Sequence, residues 1–192
     1  AIGVAVLLEL ARIISQRTER KHTVRLISCG AEEQLSEGSA AYVREHRNEV
    51  SSNGICVFNF DAFGSHLGWY QLMANGTNDF TSFLSSQLAE ADLYAKITNE
   101  VFPYGDHFPF TAAGISGCML LRHNCNSGRF FHHRHDDDMT KISFADTARI
   151  TDAFAGMVCN LISQRAIPFK SKIPEDQMRK IEAVWNDLFG GW

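Results

Sequence analysis

A chain of 192 residues, 45% hydrophobic and 21% charged, is long enough for one domain with a sizeable core and too apolar for a disordered or fibrous polymer. Eighteen Lys and Arg against 22 Asp and Glu leave a formal charge of -4. With no basic excess to neutralise a phosphate backbone, nucleic acid is excluded as a partner.

The first residues, Ala1 to Leu8, are already apolar, and Glu9 and Arg12 interrupt the run before it could span a membrane. It lacks the basic start of a signal peptide, so the chain reads as one that begins inside an element, truncated at its N-terminus. Val4, Leu7, Leu8, Ala11 and Ile14 recur at helical spacing, with Val6, Leu10 and Ile13 as a second stripe. Thr23 to Cys29 is β-prone and leads through Gly30 to a helix expected over about 39–46. Ile55 to Phe60 reads as a buried strand ending on Asp61.

Phe80 to Val101 predicts one long helix, closed by Pro103, Tyr104 and Gly105, with a loop after it. Ile115 to Arg122 predicts a strand, and Ser143 to Ser163 a helix with Ile150, Phe154, Met157, Val158 and Leu161 inward. The last helix starts at Pro174, carries Met178, Ile181, Trp185 and Leu188 as its stripe, and stops at Gly190. Alternating strands and helices imply an α/β fold: a three-layer αβα sandwich with a central mixed, mostly parallel sheet, in one domain over 1–192. Asn75-Gly76-Thr77 is formally a glycosylation sequon, and turn chemistry is the preferred reading. Five cysteines without a CxxC pair leave buried thiols, or a single bridge such as Cys118 to Cys125.

Three groups of chemically able residues follow expected strands: Glu32 with Glu33, Asp61, and His132 through Asp138. Strand ends are where an open α/β sheet assembles a site. Two adjacent carboxylates repel unless a cation or a proton compensates; otherwise they form a solvated loop. Asp61, beside so much apolar sequence, needs either a metal or the backbone of the following turn. Imidazoles among aspartates suit zinc, or else an acidic turn. In an extended segment His133 and His135 would share a face while His132 points away.

In order, these pieces resemble the di-zinc exopeptidases that include bacterial leucyl aminopeptidase and glutamate carboxypeptidase. The matching text runs from residue 3 to about 160: Gly3 to Arg12, Gly30-Ala31-Glu32-Glu33 with Gly38-Ser39, Asn59-Phe60-Asp61 with Gly64, Asp106-His107-Phe108-Pro109-Phe110 with Ala113-Gly114-Ile115, and His133-Arg134-His135-Asp136-Asp137 before Lys141-Ile142. The resemblance implies Glu32 as general base, Glu33 as ligand of one zinc, and Asp61 and His133 as ligands of the other. Two more ligands, a His and a bridging Asp, would lie upstream of Gly3, so the resemblance implies a partial site and no turnover by this chain alone. His132 stands where several members have an oxyanion-holding Tyr, and an imidazole could donate the same hydrogen bond. Asp106, His107, Phe108 and Phe110 match a loop near the substrate pocket.

The implied activity is aminopeptidase hydrolysis by zinc-activated water, with a peptide as partner, two zinc ions as cofactor and a secreted or periplasmic location. The alternatives are a one-zinc acyltransferase of the glutaminyl cyclase type, which shares adjacent Glu residues and an Asp-His-x-Pro-Phe loop, and a non-catalytic binding module.

Overall fold

A computed structural model describes residues 2–192. Four strands, β1 (Cys56–Phe60), β2 (Trp69–Asn75), β3 (Ala95–Thr98) and β4 (Ser116–His123), form one sheet in the order β1-β4-β2-β3. β1 runs parallel to β4 and β2 parallel to β3, while β2 and β4 are antiparallel, so the sheet is mixed as expected. Among the described residues seven α-helices flank it: α1 (Ile2–Ser15), α2 (Glu37–Glu45), α3 (Arg47–Asn53), α4 (Asn78–Glu90), α5 (Phe108–Ala112), α6 (Phe144–Ser163) and α7 (Glu175–Phe189).

Strand side chains alternate between two apolar layers, as a period of two requires. Leu72, Ala74, Cys118 and Leu120 join α1, α4 and α6 on one side, through Val6, Leu10, Phe80, Leu84, Phe154 and Met157. Phe58 and Phe60 meet Phe154 edge-on, at 5.9 and 4.9 Å between ring centroids. Val57 instead joins the opposite side with Val43, Val50, Phe110 and Ile115, next to a cluster of Ala40, Phe108, Ile181 and Trp185. This is the αβα layering.

The N-terminal helix turns a different stripe inward from the one its first apolar residues suggest. Gly3, Val6, Leu10 and Ile14 are buried, whereas Val4 and Leu8 are exposed. Gly3 sets this orientation, because a Cβ there would lie 2.0 Å from the Phe60 carbonyl oxygen; α1 thus starts in contact with the end of β1. The α6 and α7 boundaries follow their signals: Ser143 Oγ accepts from the Asp146 amide at 3.3 Å, and Gly190 ends α7 at φ 74°. Leu188 nonetheless stays exposed.

Two sequence expectations are corrected, and three elements carried no signal in the sequence. The long helix from Phe80 ends at Glu90; Asp92 then takes φ 52°, and residues 95–98 pair with Tyr70 to Met73 as β3. Tertiary pairing there overrides helix propensity. β2 carries too few β-branched residues to stand out, and α3 and α5 are too short. Finally, Thr23 to Cys29 forms no strand and belongs to no sheet, and among the described residues no backbone hydrogen bond joins it to another segment.

Asn75 is fully buried, and its Nδ2 donates to the Asn99 carbonyl at 3.2 Å, which closes the sequon to glycosylation and favours its structural reading. All five cysteines are free thiols, so Cys118 and Cys125 form no bridge. Among the described residues no helix is long and apolar enough to cross a membrane.

Candidate active site

The two glutamates sit on a tight turn between residues 23–29 and α2. Ser36 N donates to Glu32 O at 2.7 Å, Glu37 N to Ala31 O at 3.2 Å and Gly38 N to Gly30 O at 3.2 Å. Gly38 permits the closure, since a Cβ there would lie 2.2 Å from Gly30 O. Ala31, Leu35 and Ser36 take positive φ of 54°, 60° and 51°, a conformation that costs L-residues free energy and clusters at functional sites. The turn leaves Glu32 half-buried, lining a cavity of about 760 Å³, while Glu33 is exposed.

Glu33 Oε1 meets His133 Nε2 at 2.8 Å, bringing together residues 100 positions apart. His133 has φ 59° and stacks on His132 with ring centroids 3.8 Å apart. The segment is therefore a turn after the π-helical residues Ser127–Phe131, and the alternation expected of an extended chain does not hold. The neighbouring acids are occupied within their own loop: Asp136 accepts from Arg134 at 2.9 Å, Asp137 from Ser127 Oγ and Asp138 from Lys141. His135 is exposed.

Asp61 follows β1 directly. It is exposed, not buried as its apolar run suggests, yet its carboxyl lies above the usual carboxylate range, through partial desolvation and the negative charges of Asp106 and Glu33. Glu32 is shifted upward too, by burial first and then by Asp61, Asp106 and Glu33, with His133 opposing. Four carboxylates thus share one region beside His132 and His133, each raising the cost of ionising the next. Oxygen and imidazole donors under that repulsion suit a divalent cation. Among the described residues no three His, Cys, Asp or Glu side chains converge closely enough to hold one ion, so the donor chemistry fits zinc while the set is incomplete.

The expected substrate loop is partly a packing element. Phe108 is fully buried among Ala40, Ile181 and Trp185, and Phe110 is 7% exposed beside Val43 and Val50. His107 is fully buried as well, with neither ring nitrogen hydrogen-bonded. His107 and Phe108 are packed in the interior, where α5 starts with a Pro, while Phe110 also lines the cavity. Asp106 is half-buried and lines the cavity, and its Oδ1 has no partner. Burial raises its pKa, against hydrogen bonding from Ser39 and Cys29 that lowers it. In turn, burial and the Asp106 charge push the Cys29 thiol up to about 12. Sequence reasoning missed Cys29 and Ser39; their one signal is that they bracket the Gly30 to Gly38 turn.

His107 also carries a pH prediction. Burial pulls its pKa from 6.5 to about 4, so between those values the unfolded chain takes up a proton that the folded chain refuses. Its contribution to stability is complete above about pH 6.5 and is lost as pH falls toward about 4. Melting temperature against pH is expected to slope less across this window for His107→Gln; equal slopes would exclude His107 as the source.

The structure aligns with an aminopeptidase from Aneurinibacillus sp. strain AM-1 at TM-score 0.70 and 25% identity, over 90% of this chain and 40% of that one. It aligns with BSAP, a zinc aminopeptidase from Bacillus subtilis, at TM-score 0.73 and 23% identity, over 91% of this chain and 44% of that one. The chain therefore spans less than half the length of these proteins. No curated protein sequence matches significantly. The sequence profile of peptidase family M28 matches residues 1–158, covering the Glu32–Glu33 turn, Asp61 and His133. The chain belongs to peptidase family M28.

Proposed function

We propose that this chain is the greater part of the catalytic centre of a zinc-dependent aminopeptidase, which removes residues from the N-terminus of a peptide. The observation that supports the reading is that Glu33 touches His133 while Glu32 and Asp61, from separate stretches of sequence, lie near enough for the surrounding carboxylate charges to raise their pKa values. Glu33, Asp61 and His133 would hold the metal, two ions in the complete site. Bound zinc supplies Lewis acidity, making a water acidic near neutral pH and stabilising the tetrahedral oxyanion.

Glu32 does the proton work. Half-buried and with a raised pKa, it has a carboxylate basic enough to take a proton from the attacking water, which it then delivers to the departing amine nitrogen. His132, exposed and stacked on His133, donates an N–H toward the developing oxyanion. The 192-residue chain by itself is inactive, because three ligands cannot hold two ions.

The test compares this chain with the intact protein on aminoacyl, N-terminal glutaminyl and acidic dipeptide substrates, with zinc counted in each. Two zincs and aminoacyl hydrolysis by the intact protein alone are expected. One zinc with cyclisation of N-terminal glutamine would replace the reading with an acyltransferase, and no zinc with no turnover would replace it with a binding module.

A further inference from the structure

Residues 128–137 carry His132 and His133, and packing does little to hold them. All are exposed or partly exposed, and none joins a core cluster. Ordering so exposed a stretch costs conformational entropy that burial does not offset, so hydrogen bonds have to fix it. His133 adds to the need, since a φ of 59° persists in a non-glycine residue only where its surroundings over-determine it. Its contact with Glu33 does not meet that need in the complete site, where both side chains would hold metal instead.

Ser127 stands just before this stretch and is bound twice. Its amide donates to Ser65 Oγ at 2.7 Å, and its hydroxyl donates to Asp137 Oδ1 at the far end. The second bond closes residues 127–137 into a loop with a neck. The first seats that neck on the segment that follows Asp61, where Ser65 is 7% exposed. The seat is itself knit from three pieces of chain: Asn126 N donates to His66 O at 2.9 Å, His66 N to Lys141 O at 3.3 Å and Ser143 N to Gly64 O at 2.7 Å. Inside the loop, His132 N donates to Ser127 O and Arg134 N to Phe131 O, both at 2.9 Å, which shapes the turn without anchoring it.

We propose that Ser127 is a positioning residue, which through its bonds to Asp137 and Ser65 holds the His132–His133 turn against the segment that follows Asp61. The inference rests on the proposed function for the roles of His133 and Asp61, and it goes beyond that reading by naming what sets their relative place. Ser127, Asp137 and Ser65 act through the histidines and not on the substrate. Such support matters because a misplacement of about 1 Å among the groups of a site is enough to lose most of its activity.

Backbone ¹⁵N relaxation of the 192-residue chain reads the neck with no metal and no turnover. In Ser127→Ala, Asp137→Ala and Ser65→Ala, order parameters over 129–136 are expected to fall from the rigid range, about 0.85, to below about 0.6, while β4 and α6 stay unchanged. Ser127→Thr and Asp137→Asn keep a hydroxyl donor and a carbonyl acceptor, and both should restore the order. Combining Ser127→Ala with Asp137→Ala should loosen the loop no further than either alone, because both remove the same bond. In the intact protein the three Ala variants should bind zinc about 10–100-fold more weakly, and the Thr and Asn variants as tightly as the parent. A loop equally ordered in every variant, disorder that spreads to β4 and α6, no recovery with Thr and Asn, or a loosened loop with unchanged zinc affinity would each overturn the proposal. If the unmutated intact protein holds no zinc, the proposed function fails, and the order parameters still decide whether the neck exists.

Discussion

Glu32→Gln in the intact protein is expected to lower peptide hydrolysis by about 10²–10⁴-fold, the range lost with a general base, while zinc content stays unchanged. Gln keeps the size of the side chain and removes its ability to accept a proton. The turn survives the substitution because its closing bonds run through the backbone of Glu32, Ala31 and Gly30. Zinc is spared because Glu32 points to the cavity, while Glu33 reaches His133. The pH profile adds a check: an acid limb of kcat/KM that reports deprotonation of Glu32 should be missing from the variant's residual activity. Full activity in this variant would remove Glu32 from the chemistry, and a matching loss of zinc would make it a ligand instead.

Trp185→Ala is expected to destabilise the fold by about 3–5 kcal/mol, the usual cost of truncating a buried aromatic. That corresponds to a fall in melting temperature of about 10 °C for a chain of this size. Trp185 is 1% exposed and packs with Phe108, Phe189 and Trp192, with the Arg44 guanidinium 5.0 Å from its ring centroid. It therefore ties α7 to α2 and α5, the helices that follow the Glu32–Glu33 turn and Asp106. Trp185→Phe should cost much less, because its indole N–H is buried without a partner and losing it relieves an unsatisfied donor. Denaturant melts of the two variants decide the matter; similar losses from both would mean that the ring volume is not what holds the helices together.

Some of this architecture could be read directly from residue order. The inward face of α6, the Ser143 cap, the Gly190 stop and the apolar runs of β1 and β4 rest on local signals, a 3.6-residue or continuous apolar pattern bounded by a capping or breaking residue. Local signals failed where the partner lies far away in sequence. Residues 95–98 become β3 because residues 70–73 are available to pair, and β2 itself, with Gln71, Met73 and Ala74, lacks a strand-like composition. The chain's first apolar residues contain two helical stripes, and only the approach of Gly3 to Phe60 selects between them.

The candidate site divides in the same way. Residue type and position singled out Glu32 with Glu33, Asp61 and the stretch His132 to Asp138, because carboxylates and imidazoles near apolar runs are costly unless they have a use, and the family resemblance picked His133 from that stretch. Which of the neighbouring groups belong with them was a matter of tertiary structure alone. Packing against α7 buried Phe108, and His107 is buried as well, in the loop that resembles one near a substrate pocket. Arg134, Ser127 and Lys141 absorbed the aspartates of the histidine cluster. The amino-acid sequence by itself pointed to the layered α/β fold, the family, and the carboxylates and imidazole of the candidate site. The three-dimensional arrangement decided their mutual contacts, and it left Thr23 to Cys29 unpaired beside β1, because a backbone becomes a strand only when another backbone lies alongside it.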